Sequence, residues 1–464
     1  MARKTLAEME QSIPDSKARQ RLIRLFGGED NFVETGKYVG SGGETASVIT
    51  GYGKVNGLKI FAFSQDISIK GGAMNSTAAA KLVKLYDMAV KNGSPVVGIY
   101  DSKGGDIAEG AAMLNAYAYI AQASAKLSGV VPQISIVAGL CAGTAAMIAG
   151  MADFVIMAEK SEFFMTAPFV SEDESLKGAG TAANAAKAGI AAITAKDDSA
   201  AIDEAIKLLM YLPQNNLDSG IFEPYADESS DLVCALTADM KGETAVKALA
   251  PDKGSVTELY KDFGTASYTA LGSVFGTTVG FVATDKAEGK LSAADCAKIA
   301  RFVSFCDAFT IPVITILDSA GIGGTQADEL AGSVRDAAKL AQIYASATTP
   351  KITLITEKAY GSAYCAIAPA SDIVFAYENS VISAADPKAA VIFLRGDELD
   401  GTNEAALIEE YKDNDASAFT LASIGSIDRV IEPADALAEI VSALEVFFDK
   451  RVHSPDRKHI NFVY

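Results

Sequence analysis

The chain repeats itself. Pro95-Val-Val-Gly-Ile-Tyr-Asp101-Ser102 returns 217 residues later as Pro312-Val-Ile-Thr-Ile-Leu-Asp318-Ser319. Pro132-Gln-Ile-Ser-Ile-Val returns as Pro350-Lys-Ile-Thr-Leu-Ile, and Gly143-Thr-Ala145 as Gly361-Ser-Ala363, both at 218. Asp153-Phe-Val-Ile returns as Asp372-Ile-Val-Phe, and Pro168 as Pro387, at 219. Five landmarks in one order, drifting by only two residues, mark a tandem duplication of one domain. The fold must therefore be one that a single unit builds twice.

Each copy carries the same succession of patterns. A helical stretch (77–91; 293–309) precedes an apolar β run (96–100; 313–317), a glycine-rich loop (103–106; 320–324) and a second helix (110–128; 329–347). Another β run (133–137; 351–355) leads through a Gly-small-Ala turn into a short buried helix, and a third strand (154–157; 373–376) closes the unit. Strands alternating with helical patterns predict α/β units with mostly parallel sheet. The expected division is an N-terminal domain over 1–216, a connector rich in acids over 217–256, and a C-terminal domain over 257–464. The basic tail, 450–464, is expected to pack on the body or a neighbour.

Composition removes several function classes. A net charge of −19 argues against binding nucleic acid, which is held by Lys/Arg stripes. The only histidines, His453 and His459, lie in the last dozen residues, so neither a His-centred triad nor a His-rich metal site is expected. Five cysteines (Cys141, Cys234, Cys296, Cys306, Cys365) without CxxC spacing read as reduced, mostly buried thiols. The first 24 residues are charged and amphipathic, with no apolar core of a signal peptide. Residues 127–152 carry no charge, but Pro132 and four glycines divide them into a strand, a turn and a buried helix. The reading is a soluble, cytoplasmic protein with no membrane insertion.

Chemistry then falls to the glycine loops, since ligands of open α/β units sit beyond the carboxyl ends of the strands. In the first half these are Asp101-Ser-Lys-Gly104-Gly105-Asp106 and Gly139-Leu-Cys141-Ala-Gly143-Thr144. Two backbone N–H groups converging on one oxygen stabilise an enolate or a tetrahedral charge. No nucleophile elbow and no phosphate loop is present. Cys141 reads as a small buried residue, and Asp101 and Asp318 as caps of the turns that follow them. Backbone donors without an evident side-chain base imply that a cofactor carries the proton or the transferred group.

Further residues complete a family pattern: Val48-Ile-Thr-Gly-Tyr-Gly53, Phe63-Ser-Gln-Asp66 followed by Gly71-Gly72, Cys141-Ala-Gly143 and Tyr211-Leu-Pro-Gln-Asn-Asn216. The second half adds Ala300-Arg-Phe-Val-Ser-Phe-Cys-Asp-Ala-Phe309, Lys358-Ala-Tyr-Gly-Ser-Ala-Tyr364 and Lys450-Arg451…Lys458-His459. The chain resembles the carboxyltransferase subunit of biotin-dependent acyl-CoA carboxylases and decarboxylases, the group of propionyl-CoA carboxylase β-chains and methylmalonyl-CoA decarboxylase α-chains. That resemblance implies a tandem crotonase-like (ClpP/crotonase) ββα superhelix. It implies carboxyl exchange between biotin and the α-carbon of a short-chain acyl-CoA, with CoA thioester bound by the first half and biotin by the second.

By position, the resemblance places the thioester oxyanion at the N–H groups of Gly143 and Thr144, helped by Gly104-Gly105. It places the biotin ureido oxygen at Gly361, Ser362 and Ala363, and an acyl-pocket residue at Cys365. A biotin nitrogen takes the α-proton. No Met-Lys-Met biotinylation site exists, so biotin arrives on a separate biotin carboxyl carrier protein. A biotin carboxylase or a membrane decarboxylase subunit is the further partner, the assembly is a hexamer of three dimers, and no metal is expected. In one departure, the carboxylate Asp106 stands where the family usually has a cation. Two other readings stay open: a biotin-independent hydratase or isomerase with Asp106 and Glu109 as acid/base, and a non-catalytic scaffold.

Overall fold

The computed structural model describes residues 5–11, 13, 15–41, 44–166, 178–218, 236–252, 254–285, 289–452 and 461. Pro168, Cys234, His453, His459 and most of 217–235 and 453–464 lie outside the described residues. The chain forms two compact units, Met1–Asp218 and Ser219–Tyr464.

In the first unit a short helical turn (Leu6–Gln11) precedes helix α1 (Lys17–Phe26), which is started by the Ser16 hydroxyl and stopped by Gly27 in the left-handed region. Seven strands follow in strict chain order across one sheet: β1 (Phe32–Thr35), β2 (Val48–Val55), β3 (Leu58–Gln65), β4 (Val96–Tyr100), β5 (Gln133–Val137), β6 (Phe154–Ala158) and β7 (Ala191–Ala195). β1–β2 and β2–β3 are antiparallel, and every later pair is parallel. Helices α2 (Ser76–Asn92), α3 (Ala111–Ala125) and α4 (Thr144–Ala149) provide the first crossovers. α2 runs from an Asn75 cap to Gly93 and buries Ala78, Leu82, Leu85 and Ala89 at helical spacing. β4, β5 and β6 are buried along their whole length, as parallel strands covered on both faces must be.

The second unit repeats this path. Helix α5 (Gly242–Leu249) leads it, followed by β8 (Thr257–Leu259), β9 (Tyr268–Val274), β10 (Thr277–Ala283), β11 (Val313–Ser319), β12 (Lys351–Tyr360), β13 (Ile373–Tyr377) and β14 (Arg429–Ile431) in sequential order. Again the first two pairings are antiparallel and the rest parallel. Helix α6 (Ala293–Ala308), the pair α7 (Gln326–Ala331) and α8 (Ser333–Ser346), and α9 (Gly361–Ile367) fill the crossovers.

Three expectations change, and the head of the basic tail packs on the body as expected. The main path of each sheet runs through seven strands, because three antiparallel strands precede and one parallel strand follows the run read from the sequence; in the second unit Val381–Ser383 also pairs with β12, off that path. The hairpins turn on Asn56-Gly57 and Phe275-Gly276, with φ of 50 and 87° and of 49 and 82°. Two positive φ values are the signature of a type I′ turn. The helix expected over 329–347 is two helices, since Gly332 at φ 96° ends one and begins the next. Residues 236–252, read as connector, carry α5, whose Ala245, Val246 and Leu249 belong to the core of the second unit. Lys450, at the head of the tail, donates to Asp372 (2.7 Å) and to the Thr349 carbonyl (3.0 Å) within that unit.

Candidate functional site

In the first unit the loop after β4 runs alongside Met74. The Met74 N–H donates to the Gly104 carbonyl (2.9 Å), and the Asp106 N–H donates back to the Met74 carbonyl (2.8 Å). Gly105 thus pairs with Met74 as a parallel bridge, and its own N–H has no acceptor among the described residues. A Cβ at Gly105 would stand 1.9 Å from the Met113 sulfur, so a side chain there requires Met113 to move. The neighbouring loop is tied on by the Ser102 N–H, which donates to the Leu140 carbonyl (2.7 Å). That loop ends at Gly143, at φ 62°, which opens α4. The Gly143 N–H is spent on the Phe164 carbonyl (2.9 Å), and this corrects its expected role as a donor. The N–H groups of Thr144 and Ala145 have no acceptor among the described residues.

The second unit builds the same arrangement from different residues. The Leu291 N–H donates to the Gly321 carbonyl and the Gly323 N–H to the Leu291 carbonyl, both at 2.9 Å, with Ile322 where Gly105 stands in the first unit. β12 runs directly into Gly361, at φ 52°, and a Cβ there would lie 3.1 Å from the Ala384 carbonyl oxygen. Ser362 and Ala363 follow in the first turn of α9, where an N–H has no helical carbonyl four residues behind it. Ser362 and Cys365 are exposed one turn apart, on one face of α9. Thr144 and Met147 hold the corresponding positions on α4, with Met147 half-exposed.

Charged groups around these loops are engaged in caps and ion pairs. Asp106 caps a turn by accepting from the Ala108 N–H (3.2 Å), and it faces the Lys70 ammonium at 3.7 Å, which restores a cation to this loop. Glu109 accepts both the N–H (2.8 Å) and the hydroxyl (2.7 Å) of Ser76 at the start of α2. Asp101 and Asp318, read as turn caps, are instead paired with cations. Arg21 Nη1 meets Asp101 Oδ2 at 2.9 Å, and Lys241 Nζ meets Asp318 Oδ2 and Glu357 Oε2 at 2.8 Å each. Burial alone would lower the Lys241 pKa, but the hydrogen bonds from Asp318 and Glu357 outweigh it and the net shift is upward. Lys241 first, then Lys358, hold Glu357 down at about 2.

Asp285 beside them is raised to about 6. Burial is the main cause, opposed by the hydrogen bond from the Gly242 N–H and reinforced by the charge of Asp318. Cys141 is fully buried and its thiol is pushed far up by desolvation, the opposite of an activated nucleophile. Among the described residues no group of three or more His, Cys, Asp or Glu is placed to hold a metal, and no helix is long and apolar enough to cross a membrane.

Sequence reasoning missed Arg21, Lys241, Asp285 and Ala145. A signal for Arg21 was present: it falls between Ala18, Leu22 and Leu25 on the buried stripe of α1, where a cation needs a partner. Lys241 lies just before a helix start and carries no periodic signal.

A family model described as the carboxyl transferase domain matches residues 18–462. The chain belongs to the carboxyl transferase family. It is 36% identical over 438 residues to the methylmalonyl-CoA carboxyltransferase 12S subunit of Propionibacterium freudenreichii subsp. shermanii, covering 89% of this chain and 83% of that one. It is 35% identical to the propionyl-CoA carboxylase beta chain of Cereibacter sphaeroides, over 89% and 85%. It is also 35% identical to the methylmalonyl-CoA decarboxylase subunit alpha of Propionigenium modestum, over 96% and 92%. The structure of transcarboxylase 12S, a hexamer with methylmalonyl-CoA and methylmalonic acid bound, superposes with a TM-score of 0.89 at 33% identity, covering 98% of this chain and 94% of that one. The duplicated spiral is thus the crotonase-like fold of the carboxyl transferase family, as expected from its sequence.

Proposed function

We propose that this carboxyltransferase exchanges a carboxyl group between carrier-borne biotin and the α-carbon of a short-chain acyl-CoA. The observation that carries the reading is the duplicated donor set. Each unit presents unspent backbone N–H groups where a glycine at positive φ opens a short helix, and Asp101, Asp106, Glu109, Asp318 and Glu357 nearby are committed to caps and ion pairs. The first unit takes the CoA thioester. Thr144 and Ala145, with Gly105, donate to the thioester oxygen as negative charge develops there. The second unit takes biotin, whose ureido oxygen suits the N–H groups of Ser362 and Ala363. Biotin supplies the carboxyl group and the acceptor for the α-proton. The protein contributes fixed dipoles, orientation and a shaped acyl pocket at Cys365, and it needs no side-chain base.

The partners follow from this chemistry and from the relatives. They are a biotin carboxyl carrier protein, together with a biotin carboxylase or a membrane decarboxylase subunit. The assembly is a hexamer, like the transcarboxylase 12S structure, and we propose that it is built of three dimers. The test is carboxyl transfer in vitro from malonyl-CoA or methylmalonyl-CoA to free biotin or biotinylated carrier, following the acyl-CoA product. Product that requires biotin supports the reading. Product formed without biotin moves the chain to the hydratase-like class, and no binding of any acyl-CoA leaves a scaffold.

A further inference from the structure

In each unit a cation on or just before a helix ahead of the sheet reaches the aspartate at the end of a parallel strand. In the first unit Arg21, on α1, is 4% exposed. Its Nη1 binds Asp101 at 2.9 Å and its Nε binds Asp198 at 3.0 Å. In the second unit Lys241, the residue before α5, binds Asp318 and Glu357. Asp285 steadies that corner by accepting the Gly242 N–H at 2.9 Å. The two cations differ in type and in place along their helices, yet they reach equivalent aspartates.

Each aspartate in turn lies against the segment that leads to the backbone donors, Asp318 by a hydrogen bond to the end of β12 and Asp101 by close packing on Gly139. Asp318 Oδ1 accepts the Lys358 N–H (3.1 Å), three residues before Gly361. The Asp101 carboxylate lies so close to Gly139 that a Cβ there would sit 2.1 Å from Oδ1, and the next residue, Ser102, holds Leu140. Removing one partner of a buried ion pair leaves the other charge uncompensated and is strongly destabilising. Oxyanion donors act only when held within a fraction of an ångström of their place.

We infer that Arg21 and Lys241 are positioning residues, which act through Asp101 and Asp318 to fix the donor loops, Arg21 for the thioester side and Lys241 for the biotin side. The assignment of sides rests on the function proposed above. Neither residue touches substrate.

The test compares Arg21→Met and Lys241→Met with the parent by steady-state kinetics and by amide hydrogen exchange. Lys241→Met is expected to raise the KM for biotin by about tenfold or more while the Kd for acyl-CoA stays unchanged. Arg21→Met is expected to do the reverse, and Lys241→Arg to restore the parent values. Exchange over 358–363 is expected to quicken by about tenfold in Lys241→Met only, and exchange over 138–144 in Arg21→Met only. Should Arg21→Met fail to accumulate, Arg21→Lys, which keeps a charge against Asp101 but loses the fork to Asp198, gives the same pattern in weaker form. Equal loss on both sides, or unchanged exchange in both loops, overturns the inference. A parent without biotin-dependent turnover contradicts the proposed function alone, because the exchange measurement still decides whether the cations hold their loops.

Discussion

Asp285 sits 6% exposed, with one oxygen on the Gly242 N–H and the other without a partner. Its pKa, raised from an ordinary 3.8 to about 6, carries a sign for stability. Below about pH 4 the carboxyl is protonated in both states and costs nothing. Between pH 4 and 6 the unfolded chain ionises first, so the folded state loses stability as pH rises, and the cost is complete above pH 6. A rise of this size corresponds to about 3 kcal/mol. Chemical denaturation across pH is therefore expected to show Asp285→Asn gaining on the parent by about that amount from pH 4 to pH 8; a constant difference contradicts the assignment. At Cys365, a side chain enlarged to Ile is expected to narrow the acyl pocket and shift kcat/KM toward acetyl-CoA over propionyl-CoA by about tenfold, since one methylene is worth about 1–3 kcal/mol. Unchanged selectivity would remove Cys365 from the pocket. At this scale the sequence was legible where a residue's type decides its environment, as for buried Cys141. It was not legible where a neighbour decides: the sequence does not say that Phe164 takes the Gly143 N–H.

Glycines and caps set the elements around the site. Gly143 and Gly361 open α4 and α9 at positive φ, where an L side chain is strained. Gly361→Ala also meets the Ala384 carbonyl, so it is expected to lower kcat at least tenfold through displacement of Ser362 and Ala363, with the fold retained by circular dichroism. Activity at the parent level would show that the donors lie elsewhere. Glu109, as the partner of Ser76, is expected to matter to α2 and not to turnover: Glu109→Ala should cost about 1 kcal/mol in thermal unfolding while kcat stays near that of the parent. The strands over 96–100 and 133–137 were legible to the residue because both faces are buried and every side chain is apolar or paired. The hairpins were harder to see. Asn56-Gly57 is a strong turn signal, but its copy, Phe275-Gly276, puts an aromatic residue at positive φ and hides the repeat.

At the scale of the molecule, duplication was the most legible property, and the two sheets carry it as one sequential strand order. The offsets of 217 to 219 residues survive because strand ends and donor turns cannot move, whereas the leading helices α1 and α5 keep their place and change their cation. On the proposed function, a chain with two backbone donor sets, and among the described residues no acid or base placed at them, depends on biotin for its chemistry. Decarboxylation of methylmalonyl-CoA with and without biotin, in the parent and in the Asp106→Asn, Glu109→Gln double variant, tests it most directly. Turnover is expected only with biotin, and the double variant is expected to retain kcat within about threefold of the parent, since neither carboxylate takes a proton from substrate. Turnover without biotin that disappears in the double variant would contradict that claim.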